Sequence, residues 1–205
     1  MPMMPASLSG PVNRVLRPVP AWPLYILAVL PPAWLVWGLF QGRLGVDPVK
    51  TMEHQMGLWA LWLIIAGLAV TPIRRILGVS FLKYRRAIGL VAFFYILLHL
   101  LIWLVLDVQI PAQILADLTK RPYIILGMAA FVLLIPLAVT SNAVSIRRLG
   151  RNWRRLHLLV YPAAVLGGLH YVILVKGIQM TPILYLLAIL GLLAFRLPWT
   201  GRRPR

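Results

Sequence analysis

The sequence predicts an all-α membrane protein, a six-helix transmembrane bundle with both termini in the cytoplasm. Three observations lead there. Apolar residues make up 61% of the 205, with a mean hydropathy of +0.86, which is more apolar surface than a chain folding in water can hide. Several stretches approach the roughly 20 helical residues that cross a hydrocarbon core about 30 Å thick. Finally, 16 of the 21 cations fall on one side of the membrane those stretches would span.

Residues 1–19, with four prolines and no periodic pattern, read as a disordered cytoplasmic tail. The spans expected next are Trp22 to Phe40, Gln55 to Ile73, Ala87 to Leu106, Tyr123 to Val139, Leu156 to Val175 and Ile183 to Leu197. Pro31 and Pro32 interrupt the first, and the last is short. The first is too long, and too far from a small-residue cleavage site, for a removed signal peptide, so it reads as a retained helix. Residues 20–197 form the membrane domain, and residues 198–205 a basic cytoplasmic tail.

Charge sets the orientation. Arg14, Arg17, the Arg74 to Arg86 loop, the Arg147 to Arg155 loop and the C-terminal arginines lie on one side. Arg43, Lys50, Lys120, Arg121 and Lys176 lie on the other, together with all four acids, Asp47, Glu53, Asp107 and Asp117. The positive-inside rule places the first set in the cytoplasm. The net charge of +17 therefore reflects topology and attraction to anionic membrane lipid, not nucleic acid.

Absences narrow the chemistry. Without cysteine there is no thiol relay, iron–sulfur cluster or covalently attached haem. No Asp or Glu falls within an expected span, which argues against a transporter built on a carboxylate relay. No phosphate-binding glycine loop is present.

Histidines supply the positive signal, because ionisable groups inside a span mark a functional site by default. His99 lies about 18 Å, and His170 about 21 Å, from the cytoplasmic ends of their spans at 1.5 Å per residue. Imidazoles at matching depth on two helices are the axial ligands a b-type haem needs. The plainer reading is a pair of buried histidines bonded to backbone or hydroxyl groups.

His157 lies roughly 20 Å below His170 on the same helix. A second haem there would need a partner near Arg85, where no histidine stands. Arg85 itself, an open position and no haem at all remain the alternatives. An ideal helix puts His157 and His170 about 140° apart, with Pro162 and the Gly167, Gly168 pair between them as places to rewind it. His54, beside Glu53, reads as a surface or capping group, and Trp153 and Tyr161 as interfacial or packing residues.

The run LAVTSNAVSIRRLGRNWRRLHLLVY from Leu137 to Tyr161, followed by GLHYVILVKG to Gly177, resembles the haem-binding membrane subunits of bacterial protein-methionine-sulfoxide reductase systems. TPIRR at Thr71, YRRAIGL at Tyr84, LLHL around His99 and KRPYIILGM at Lys120 fit the same pattern, so the likeness covers about residues 20 to 197. These subunits resemble in turn the membrane domains of ferric reductases and NADPH oxidases.

The resemblance implies one or two b haems on His99, His170 and His157. It also implies an associated FMN, electrons drawn from the quinone pool of the bacterial inner membrane, and delivery to a periplasmic molybdopterin-containing catalytic subunit that repairs methionine sulfoxide. The wider group has two histidines on the third helix, where this chain has one. Asp107, Asp117, Lys120 and Arg121 would face the outer partner. Arg74, Arg75, Arg85, Arg86, Arg147 and Arg148 are candidates for an inner flavin or quinone rim. Two other readings are a stand-alone ferric or oxygen reductase and a histidine-lined proton-coupled transporter.

Overall fold

The computed structural model describes residues 9–175 and 177–196, and every regular element among them is helical. In chain order these are α1 (Ser9–Leu16), α2 (Pro23–Leu27), α3 (Leu30–Phe40), α4 (Pro48–Leu77), α5 (Arg85–Ile102), α6 (Pro111–Lys120), α7 (Pro122–Val139), α8 (Ala143–Leu149), α9 (Arg151–Leu156), α10 (Val160–Leu174) and α11 (Met180–Ala194). Five segments are long and apolar enough to cross a membrane: Pro23–Phe40, Pro48–Leu77, Leu82–Val108, Pro122–Val139 and Arg151–Leu174. Met180–Ala194 is a shorter apolar helix. Large apolar side chains such as Trp34, Phe40, Leu184 and Leu187 point outward, as in a protein whose solvent is lipid.

The segment expected to be a disordered tail departs from that expectation over its described part. Ser9–Leu16 is helical, and it is tied to the loop after α4: Asn13 Nδ2 donates to Gly78 O at 2.9 Å and the Ser80 amide donates to Asn13 Oδ1 at 2.9 Å. Lys83 and Tyr84 then donate to carbonyls at Leu16, Arg17 and Val19. Composition missed this because the order comes from a few long-range polar bonds rather than from an apolar face. Residues 1–8, Leu197 and the expected basic tail at 198–205 lie outside the described residues.

The prolines in the first span break it in two, with Pro31 entering the first turn of α3 where its missing N–H is harmless. α4 starts well before the expected Gln55. Asp47 caps it by accepting the Lys50 amide at 3.0 Å, and Pro48 occupies the first position. Glu53, expected outside a span, is therefore inside a helix and buried. α6 was not expected at all. The third span runs on beyond Ile102 as a π-helical stretch, Trp103–Val108, and ends at Gln109 with φ 60°.

α4 packs along α5 and α7 along α10, giving two helix pairs, and α11 closes against α10 and α4. Leu61 and Leu68 of α4, Ala164 of α10 and Ile189 of α11 share one buried cluster. Leu134 and Leu137 pack on Ala163 in a second, flanked by Phe93 and Ile96 of α5. Small residues let α10 come close: a Cβ at Gly168 would lie 3.0 Å from Leu186 Cδ1 of α11.

Candidate functional site

His99 of α5 and His170 of α10 face one another across the middle of the bundle, their ring centres 6.2 Å apart and their planes 80° apart. Each ring is fixed by the first helix of its own pair. His99 Nδ1 bonds the carbonyl of Glu53 in α4 at 2.8 Å, and His170 Nδ1 bonds the carbonyl of Tyr123 in α7 at 2.7 Å. A backbone carbonyl can only accept, so both Nδ1 atoms carry the proton and both Nε2 atoms keep a lone pair. This is the outer-shell arrangement of a metal-binding imidazole.

The approach requires glycine. One turn after each accepting carbonyl comes Gly57 or Gly127. A Cβ at Gly57 would lie 3.1 Å from His99 Nδ1, and one at Gly127 would lie 2.9 Å from His170 Nδ1. Because Cβ atoms lean toward a helix's N-terminus, a side chain four residues on covers the carbonyl below it. Glycine leaves that carbonyl open to the ring. The two halves repeat each other, with carbonyl-to-histidine sequence separations of 46 and 47.

Between these elements lies a cavity of about 640 Å³. Its wall is chiefly apolar, with His99, His170 and Tyr123 inside and Lys50, Glu53 and Arg121 at one end. Two imidazoles sharing one metal at bonds of about 2 Å have ring centres roughly 6 Å apart, as these do. The protonated Nδ1 atoms, the glycine cradles and the volume together fit a haem held between α5 and α10. A carboxylate does stand near, contrary to the sequence expectation. Glu53 is 9% exposed, and Lys50 pairs with both Glu53, at 3.5 Å, and Asp107. His54 is exposed, as expected of a surface group.

His157 sits in different surroundings. Its Nδ1 bonds Trp153 O on its own segment at 3.1 Å, and its ring stacks on Trp153 at 3.8 Å. Its Nε2 is buried without a hydrogen-bond partner among the described residues. The rewinding expected at Pro162 or the glycine pair occurs instead at His157 itself, in the 3-10 turn His157–Leu159. Three residues at about 120° instead of 100° each bring His157 and His170 some 60° closer in phase. Pro162 lies in the first turn of α10 and leaves it continuous.

The candidate rim arginines do not converge. Arg74, Arg75, Arg86, Arg147 and Arg148 are all exposed, and of these only Arg75 makes a hydrogen bond among the described residues, to Phe195 O at 3.2 Å. Arg85 is exposed too, but it stands near Tyr161 and Arg196. Sequence reasoning missed Gly57, Gly127 and Arg196. The Gly-to-His spacing, repeated in two apolar helix pairs, is the signal that would have revealed the first two.

A family model described as "Ferric reductase like transmembrane component" matches residues 55–168, more than half of the chain. Curated proteins named "Protein-methionine-sulfoxide reductase heme-binding subunit MsrQ" are similar over most of their length. The Rhizobium meliloti protein is 48% identical, covering 96% of this chain and 88% of its own. That of Agrobacterium fabrum is 46% identical over 88% and 85%, and that of Brucella anthropi 47% over 86% and 80%. No solved structure matches. The chain thus belongs to the ferric reductase-like transmembrane family and, within it, to the MsrQ group of protein-methionine-sulfoxide reductase subunits.

Proposed function

We propose that the chain is the haem b electron-transfer subunit of a protein-methionine-sulfoxide reductase in the bacterial inner membrane. It takes electrons from the quinone pool, with FMN, and hands them to a periplasmic molybdopterin-containing catalytic subunit. The single observation behind this reading is the pairing of His99 and His170, each Nδ1 spent on a carbonyl and the rings 6.2 Å apart. When bound, a haem supplies a one-electron carrier whose potential is set by axial ligation and surroundings. His99 and His170 would hold it, Gly57 and Gly127 make room for their rings, and the apolar wall keeps water from the iron. Lys50 and Arg121 lie at the cavity end where the acids gather, which would be the periplasmic side in a six-span topology with cytoplasmic termini. Asp107, Asp117 and Lys120 belong to the same end and would face the catalytic subunit.

His157, with its unpartnered Nε2, would serve a second haem. A guanidinium stays protonated and has no lone pair to give, so Arg85 is a poor candidate for the opposite ligand. The test is quantification of haem and flavin per polypeptide in protein purified from haem-replete cells, with the visible spectrum. At least one low-spin haem b per chain is expected. Colourless, well-folded protein would end the reading.

A further inference from the structure

At the end of the bundle away from the acids, the structure gathers two arginines around one phenol. Arg196, just after α11, donates from Nη1 to Tyr161 Oη at 3.0 Å and from Nη2 to Leu68 O at 2.6 Å. Its guanidinium stands 5.3 Å from the centre of the Tyr161 ring, and its Nε is buried with no partner among the described residues. Arg85, the first residue of α5, is exposed and stands close enough to Tyr161 and Arg196 to feel both, so that the two guanidinium charges repel. Four helices thus converge on this point: α4, α5, α10 and α11.

No anion of the protein's own side chains serves them. All four acids of the sequence, Asp47, Glu53, Asp107 and Asp117, belong to the opposite end. Two like charges drawn together beside a neutral phenol, one of them part-buried, are unfavourable unless something negative joins them. An exposed cation such as Arg85 is free to turn away, but Arg196 is part-buried. Arg196 is held instead by two directed bonds that leave its Nε–H unspent.

We infer that Arg85 and Arg196, with Tyr161 between them, form a binding site for a phosphate group. Forked guanidinium donors suit the several oxygens of a phosphate, and Tyr161 and the Leu68 carbonyl hold the Arg196 fork in place beside Arg85. The phosphate could be that of a soluble mononucleotide such as the flavin, or that of an anionic lipid at the bilayer surface; the chemistry of recognition is shared. The inference deepens the electron-entry side of the proposed function and rests on it only for the flavin as ligand. The haem spectrum is independent of it.

The experiment is thermal unfolding of the full-length protein in uncharged detergent, titrated with inorganic phosphate, FMN and phosphatidic acid, with riboflavin as the phosphate-free control. Phosphate compounds should raise the unfolding temperature and riboflavin should not. In Arg196→Gln the dissociation constant should rise about tenfold or more, as expected for losing a charge-assisted bond. Arg196→Lys, which keeps the charge without the fork, should fall between, and Arg151→Gln, an exposed cation elsewhere, should match wild type. An unchanged haem spectrum in Arg196→Gln shows that the variant is folded and that the haem reading stands apart. Tighter binding of FMN or of phosphatidic acid identifies the source, and either supports the site. Equal effects of FMN and riboflavin, no response to any phosphate compound, or an Arg196→Gln response equal to wild type would overturn it.

Discussion

His99 and His170 at one level of the bundle, and His157 at the other, are the same residue type put to unlike uses by their hydrogen bonds. The first two are each held by a carbonyl from a different helix, 46 and 47 residues away, so ring orientation is fixed by how helices pack. His157 leans on a carbonyl four residues away in its own segment. A bond between helices makes a rigid pair of ligands that face each other. A bond within one turn only positions a single ring. The paired level has glycine cradles and a cavity, whereas the lone level has an indole stack and clustered arginines.

The largest expected effect comes from removing one of the pair. His99→Ala or His170→Ala should lower the haem content of the upper site at least tenfold, whereas His157→Ala should leave that site's spectrum in place; haem assay with absorbance spectra checks both. Next is the cradle. Gly127→Ala pushes a methyl to 2.9 Å from His170 Nδ1, and Gly57→Ala to 3.1 Å from His99 Nδ1. Each should cost about 1–3 kcal/mol in overpacking, with Gly127→Ala the worse, read as weaker haem retention and a shifted reduction potential. If both variants match wild type, the two rings are not held as described.

A smaller change tests the acid end. Asp107→Asn breaks the Lys50 pair, which is partly exposed, and should cost about 1 kcal/mol or less in a denaturation measurement. The mildest concerns the N-terminal strap. Asn13→Ala removes bonds to Gly78 and Ser80 and should speed amide exchange over residues 9–19, with about 1 kcal/mol of stability lost and the haem spectrum unaltered.

Much of this was legible in the sequence. Imidazoles inside apolar runs stand out because little else in a span is ionisable, so composition and depth single out His99 and His170, which the fold brings face to face. What holds them was not legible, since the acceptors are backbone carbonyls, which every residue has, and the cradle is the absence of a side chain. Glu53 was misplaced because hydropathy ends a span at the first charges, whereas Asp47 and Pro48 set where α4 begins. Arg196 looked like one more topological cation until α4, α10 and α11 brought Leu68 and Tyr161 to it. The strap at Ser9–Leu16 escaped because a few polar bonds, not periodicity, order it.

The most direct measurement of the central claim is near-infrared magnetic circular dichroism of the ferric protein, wild type beside His170→Met. If His99 and His170 share one iron, wild type shows the charge-transfer band of bis-imidazole ligation, and the variant replaces that site's share with the band of mixed imidazole–thioether ligation. An unchanged spectrum in His170→Met would contradict it.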